Sequence, residues 1–182
     1  MTFIMMLSAL ILDWFFGEPK CLHPLVGFGT LANKLESRFN QNHHSTSRQF
    51  ILGLLALLLC VLPFGVISFF ISQFAVWGTL FSILVLTLCI GHRSLFDHAK
   101  PILHAMQQGD IEQAKTLTSR IVSRDKEHID VNKATIESVL ENGNDAVFAT
   151  LFWFAIGGAA GAVTYRLVNT LDAMWGYRTT RY

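Results

Sequence analysis

The sequence predicts an all-α, polytopic integral membrane protein that also carries cytoplasmic helical segments, and three observations predict it. Of 182 residues, 52% are apolar or aromatic and only 15% are charged, where a soluble domain has about 25% charged. The mean hydropathy is +0.42. From Phe50 to Gly91 no side chain carries a charge, a run about twice the ~20 residues that one crossing of a bilayer needs, so it must cross twice. Fourteen basic residues against thirteen acidic leave a net charge of +1. That balance gives no basic field to attract nucleic acid or an anionic membrane surface. The three cysteines, Cys21, Cys60 and Cys89, lie too far apart for a disulfide framework or zinc cluster and read as packing residues.

The whole chain, 1–182, reads as a single membrane domain without internal repeats. Residues 1–16 are apolar but lack a basic leading region and a small-residue cleavage site, and they include Asp13 and Trp14. They predict a retained helix rather than a signal peptide. Residues 17–49 form a polar segment, in which Pro19 and Pro24 predict an extended, turn-rich lip after the first helix; the clearest loop is 40–47. Membrane helices are expected at 50–71 and 74–91, turning near Ser72 and Gln73, although Pro63 and Gly65 are alternative places for a kink or stop.

Residues 92–145 are polar and helical in pattern. Asp110 with Gln113 forms a capping box ahead of an apolar stripe of Ile111, Ala114, Leu117 and Ile121. Asp130 caps a second helix carrying Ala134, Ile136, Val139 and Leu140. The next apolar stretch, 146–165, is just long enough to span, yet it contains Gly157, Gly158 and Gly161 and is followed by Arg166, Arg178 and Arg181. A straight crossing would place those arginines on the far side. A re-entrant pair of half-helices, tolerated where irregular backbone lines a protein cavity, keeps both ends on one side and is the preferred reading.

Three clusters carry chemistry. Glu137, Glu141 and Asp145 follow at i, i+4 steps, so an unbroken helix stacks three carboxylates on one face beside Asn142. Either a cation sits opposite, Mg²⁺ with a substrate phosphate being the common use, or the face is simply solvated. Arg166, Asn169 and Asp172 follow at i, i+3 steps, with Arg178 beyond. The arginines suit a phosphate or carboxylate; the alternative is an Arg166–Asp172 ion pair locking two helices. Asp13, Gly17-Glu18-Pro19 and His23-Pro24 make up the third cluster. His23 either donates a proton or contacts a phosphate, or it is structural. His43, His44, His92, His98 and His104 have no spacing that closes a metal site and are given no role. A P-loop, G-x-G-x-x-G, G-x-S-x-G and C-x-x-C are all missing, which excludes a standard soluble nucleotide-binding domain.

Taken in order, these residues resemble the CobD/CbiB family, the adenosylcobinamide-phosphate (cobinamide) synthases of cobalamin biosynthesis. The resemblance rests on Leu12-Asp13, Gly17-Glu18-Pro19, His23-Pro24, Arg124-Asp125, Glu137 to Asn142 with Asp145, Leu151-Phe152-Trp153-Phe154 with Gly157-Gly158, Tyr165-Arg166, Asn169 to Asp172, and Gly176-Tyr177-Arg178. The stretch from Glu137 to Tyr182 is the most specific. Departures from the family pattern are Glu18 for Asp, Ser123 for Gly, Thr150 and Ala160 for Pro, and Ala173 for Ser; none removes a charged candidate.

The resemblance implies a multi-pass enzyme of the inner (cytoplasmic) membrane. That enzyme is a carbon–nitrogen ligase joining aminopropanol, or its phosphate, to the propionate carboxyl of adenosylcobyric acid, its corrinoid substrate, with ATP and Mg²⁺. Motif position and charge then cast Glu141, Asp145 and Asp172 as catalytic carboxylates, with Glu137, Glu141 and Asp145 on the metal. Arg124, Arg166 and Arg178 become phosphate clamps, with His23 and Asn169 on the substrate. Family chains continue past Gly176-Tyr177-Arg178, so a further C-terminal portion or a homo-oligomer is expected to complete the cavity. A sensor of the same fold, a transporter or scaffold subunit, and an inactive truncated fragment are the competing classes.

Orientation follows from Lys20, Lys34, Arg38 and Arg48 in one polar segment and Arg93, Lys100, Lys115, Arg120, Arg124, Lys126 and Lys133 in the other. The positive-inside rule makes both cytoplasmic. Gln73→Cys and Lys115→Cys should therefore react with impermeant thiol reagents from opposite sides of the membrane. Labelling of both from the same side would overturn this topology.

Overall fold

A sequence this apolar satisfies its backbone polar groups locally, and helices do so within one segment. The computed structural model describes residues 1–18, 24–39, 46–122 and 130–176, and among them there is no strand. The helices are α1 (Thr2–Phe16), α2 (Pro24–Phe39), α3 (Thr46–Ser72), α4 (Ala75–Cys89), α5 (His92–Gln107), α6 (Ile111–Thr118), α7 (Val131–Gly143) and α8 (Ala149–Trp175). A π-helical turn, Asn144–Phe148, joins α7 to α8. Three helical stretches are long and apolar enough to cross a membrane: Ser47–Ser72, Ala75–Gln107 and Val131–Trp175. The fold is all-α, and its long apolar helices are those of a polytopic membrane protein.

The α3–α4 turn falls at Ser72 to Phe74, and Pro63 is accommodated inside α3. Leu54, Leu55, Leu58, Leu59, Leu62 and Phe69 of α3 are exposed, as expected for a helix whose solvent is lipid. Gly65 permits a close approach, since a Cβ there would lie 2.7 Å from Thr164 Oγ1 of α8. Pro24 does not extend a lip: it opens α2, whose Phe28 and Ala32 pack with Cys60, Val61, Leu167 and Leu171. Proline is well suited to a first helical position, where its missing N–H costs nothing.

The polar segment after α4 holds three described helices. Asp110 Oδ1 accepts the Gln113 N–H at 3.0 Å, and Asp130 Oδ1 accepts the Lys133 N–H at 3.1 Å, so both predicted caps form. The stripes are only partly as expected. Ala114 is buried with Leu117 and Ile121 against Ile102 and Ala105 of α5, but Ile111 is 50% exposed. On α7 the buried face is Val131, Ala134 and Ser138, which leaves Ile136 and Leu140 60% and 68% exposed. The i, i+3, i+7 stripe of small residues lets α7 lie close to its neighbours and turns the larger side chains outward.

The helix after the π turn runs to Trp175 rather than stopping near 165, because Val163, Leu167, Leu171 and Met174 continue an apolar stripe onto α2 and α3. It is interrupted at Gly158, whose φ of 57° and ψ of −148° are non-helical. The bend is sharp, since a Cβ at Gly161 would strike the Trp153 carbonyl oxygen. Before the bend, Leu151 and Phe154 pack with Ala9, Leu86 and Ile90. After it, Leu167 and Leu171 pack with α2 and α3.

That backbone conformation is essentially confined to glycine. Gly157 itself keeps helical backbone geometry, with open space where a Cβ would stand. Gly157→Ala should therefore raise stability by about 0.4–1 kcal/mol, whereas Gly158→Ala should lower it by about 1–3 kcal/mol. Thermal unfolding in detergent checks this, and equal midpoints for the two variants would remove the bend.

Candidate functional site

The site is assembled around the first turn of α5. Gly91 precedes that helix and has no side chain to cap it. The cap comes instead from α1, where the buried Asp13 (1% exposed) accepts the Arg93 N–H at Oδ2, 2.8 Å away. Gly17, with φ of 62°, closes the end of α1 by donating its N–H to the Asp13 carbonyl at 2.8 Å. Arg93 then holds the corner: Nη1 donates to the Trp14 carbonyl at 3.1 Å, and Nε pairs with Asp97 at 3.0 Å. The guanidinium also lies over the Trp14 ring, 5.2 Å from its centroid. On the far side of the corner, the Gly91 N–H donates to the Ala146 carbonyl of the π turn at 3.2 Å.

A cavity of about 220 Å³ opens beside this corner. Its walls are Glu18 after α1; Gly91, Ser94, Leu95, His98 and Ala99 at the start of α5; Ile121; Ser138, Val139 and Asn142 of α7; Ala146; and Arg166 of α8. Glu18 and Arg166 both reach Gly91: Glu18 Oε1 and Arg166 Nη2 lie 3.5 and 4.0 Å from where a Gly91 Cβ would stand. Among the described residues Arg166 Nε is buried without a hydrogen-bond partner, an unsatisfied cationic donor at a cavity wall, which favours an anion there. Asn142 Nδ2 donates to the Ser138 carbonyl at 2.9 Å, and Ser138 Oγ donates to the Ile121 carbonyl at 3.3 Å, fixing α7 against the end of α6. His98 Nδ1 lies 2.7 Å from the Ser94 carbonyl one turn earlier.

Of the residues singled out from sequence, Arg166 is on the cavity, with Asn142 and Glu18 from the neighbouring motifs. Glu137, Glu141 and Asp145 do not converge on it. Glu137 is exposed and 4.0 Å from Lys133, and Glu141 is also exposed. Asp145 is half-buried and accepts the Asn144 Nδ2–H at 2.9 Å. The physical reason is the π turn beginning at Asn144: α-helical periodicity, which would stack Asp145 under Glu141, ends there. Among the described residues no three His, Cys, Asp or Glu side chains gather to hold a metal. Asn169 is half-buried, and Asp172 is exposed with no ion pair to Arg166 among the described residues. Its carbonyl takes the Gly176 N–H at 2.7 Å and ends α8. His23, Arg124 and Arg178 lie outside the described residues.

A family model described as CobD/Cbib protein matches residues 6–182. The chain belongs to the CobD/CbiB family. The cobalamin biosynthesis protein CobD of Stutzerimonas stutzeri (strain A1501) is 47% identical over 184 residues, covering 100% of this chain and 60% of the relative. CobD of Chromobacterium violaceum is 44% identical over 180 residues, 96% of this chain and 58% of the relative. The probable CobD of Methanocaldococcus jannaschii is 36% identical over 194 residues, 98% and 62% of the two chains. The chain thus spans about 60% of the length of the curated relatives it matches. No solved structure matches it.

Within this CobD/CbiB chain, sequence reasoning gave no role to Ser94, His98 or Ser138, and it gave Glu18 a motif without a chemistry. The signal was present as two polar i, i+4 pairs, Ser94–His98 on α5 and Ser138–Asn142 on α7, each placing two polar side chains on one helix face.

The corner also predicts a stability order. Asp13→Ala leaves the Arg93 N–H buried without its charged acceptor and should cost about 1–3 kcal/mol, whereas Asp13→Asn keeps an acceptor oxygen and should cost less. Thermal unfolding of the detergent-solubilised protein should rank wild type above Asp13→Asn above Asp13→Ala. A wild-type midpoint for Asp13→Ala would mean that the cap is dispensable.

Proposed function

We propose that a polypeptide carrying this chain is a carbon–nitrogen ligase of the inner membrane. It uses ATP to join aminopropanol, or its phosphate, to the propionate carboxyl of adenosylcobyric acid, giving adenosylcobinamide (phosphate). The observation that carries the reading is the convergence of Glu18, Asn142 and Arg166, which come from three separate family motifs, on one cavity where soluble-type helices meet the apolar ones. Membership of a family whose relatives are named as cobalamin biosynthesis proteins supports the pathway.

The charges suit the reaction. Arg166, with a buried donor lacking a partner among the described residues, holds the anionic end of a substrate, a phosphate or the carboxylate being activated. Glu18 pairs with the ammonium of the incoming amine. Asn142, fixed through Ser138, positions a polar oxygen. Such groups act by placement and by stabilising charge rather than by forming bonds. The described carboxylates do not fit a protein-held Mg²⁺, as Glu137 faces Lys133 and Glu141 is exposed, so we assign the cation to the nucleotide that brings it.

The test is a chimera of residues 1–182 followed by the C-terminal portion of the Stutzerimonas stutzeri relative, assayed in membranes with adenosylcobyric acid, aminopropanol phosphate and Mg-ATP. The wild-type chimera should form the amide, and Arg166→Ala should lower the rate by about 10²-fold or more with insertion unchanged. A wild-type chimera that forms no amide would overturn the ligase reading. An Arg166→Ala chimera as fast as wild type would show that the reaction happens elsewhere.

A further inference from the structure

We infer that His98 is the base that takes the proton from the attacking amine, and that the cavity beside it is the amine's subsite. This rests on the ligase reading above.

The first argument is size. The cavity holds about 220 Å³, below the ~300–1,000 Å³ of pockets that enclose drug-sized ligands. An amino-alcohol or its phosphate fits such a space. The two charged walls match that small molecule, with the Glu18 carboxylate for its ammonium and the Arg166 guanidinium for its anionic end.

The second argument is protonation. An ammonium nitrogen has no lone pair and cannot attack until a proton leaves it. Of the two proton-accepting residue types in the wall, the Glu18 carboxylate is engaged with the ammonium, which leaves the His98 imidazole to take the proton. The contact of His98 Nδ1 with the Ser94 carbonyl, 2.7 Å, decides which ring nitrogen is available. A carbonyl oxygen only accepts, so Nδ1 carries the hydrogen, and the neutral ring keeps its lone pair on Nε2. The acceptor geometry is set by backbone, not by a mobile partner. His98 is also exposed while lining the cavity, so a proton it gains passes to water.

The step balances. ATP first transfers its terminal phosphoryl group to the propionate carboxylate. The ammonium gives one proton to His98 Nε2, and its freed lone pair forms the C–N bond at the acyl carbon. The C–O bond to phosphate breaks, and its electron pair leaves with the phosphate. That phosphate takes the second nitrogen proton, and the third stays on the amide nitrogen.

In the chimera described above, His98→Ala and His98→Gln should both lower kcat by about 10²–10⁴-fold while KM for the amine changes little. Imidazole added to the His98→Ala protein should recover part of the rate through the open cavity. His104→Ala should behave as wild type, because His104 contacts Gln108 away from the cavity. The His98→Gln protein serves where the alanine variant does not fold, since glutamine hydrogen-bonds but takes no proton at neutral pH. Either His98 variant turning over within about twofold of an active wild type, or a loss confined to KM, would overturn the base and leave the ligase reading standing. A wild-type chimera without synthesis would overturn both.

Discussion

A helix that begins at the end of a membrane span has a special problem: its first N–H groups point toward a place where water is scarce. In this chain the problem falls on α5, which is separated from α4 by only two residues and has glycine at its cap position. The solution is the Asp13 carboxylate, brought from 80 residues away to accept the Arg93 N–H. Its charge is favourable at a helix N-terminus as well as its hydrogen bond. The interaction fixes α1 against α5, and Arg93, clamped to Trp14 and Asp97, keeps the corner closed. One side of the cavity hangs from that corner: Glu18 because it follows α1, Ser94 and His98 because they lie on the first turns of α5, and Ala146 because its carbonyl takes the Gly91 N–H.

The extent of the helices was readable from composition and punctuation. The uncharged run between Phe50 and Gly91 dictated two apolar helices and a turn, and the turn lies at Ser72 to Phe74. Asp110 and Asp130 announced their helices because a capping carboxylate is a local event, needing only the residue three positions on. What sequence could not announce was anything decided by a partner distant along the chain. Whether Pro24 bent the chain or opened a helix depended on Phe28 finding Cys60, Val61 and Leu171. Which stripe of α7 faced inward depended on how closely its neighbours approached, and small residues won over Ile136 and Leu140.

The carboxylate series shows the same limit in the site itself. Glu137, Glu141 and Asp145 stack only if helical periodicity is uniform, and a π turn is invisible to a spacing argument. That turn is stabilised locally, with Thr150 Oγ1 donating to the Asp145 carbonyl at 3.2 Å. By contrast Arg166, an ionisable side chain following an apolar stretch, stood out because such a group needs a reason to be there. The cavity wall supplies the reason.

The bend in α8 has a mechanical consequence. Before Gly158, Leu151 and Phe154 pack with α1 and α4; beyond it, Ala162 still packs there, while Leu167 and Leu171 pack with α2 and α3. Glu18 follows α1, and Arg166 lies on α8 beyond the bend. The direction α8 takes beyond Gly158 therefore bears on where the basic wall of the cavity stands. A residue with no side chain, lining no part of the cavity, thus contributes to the placement of one of its two charges.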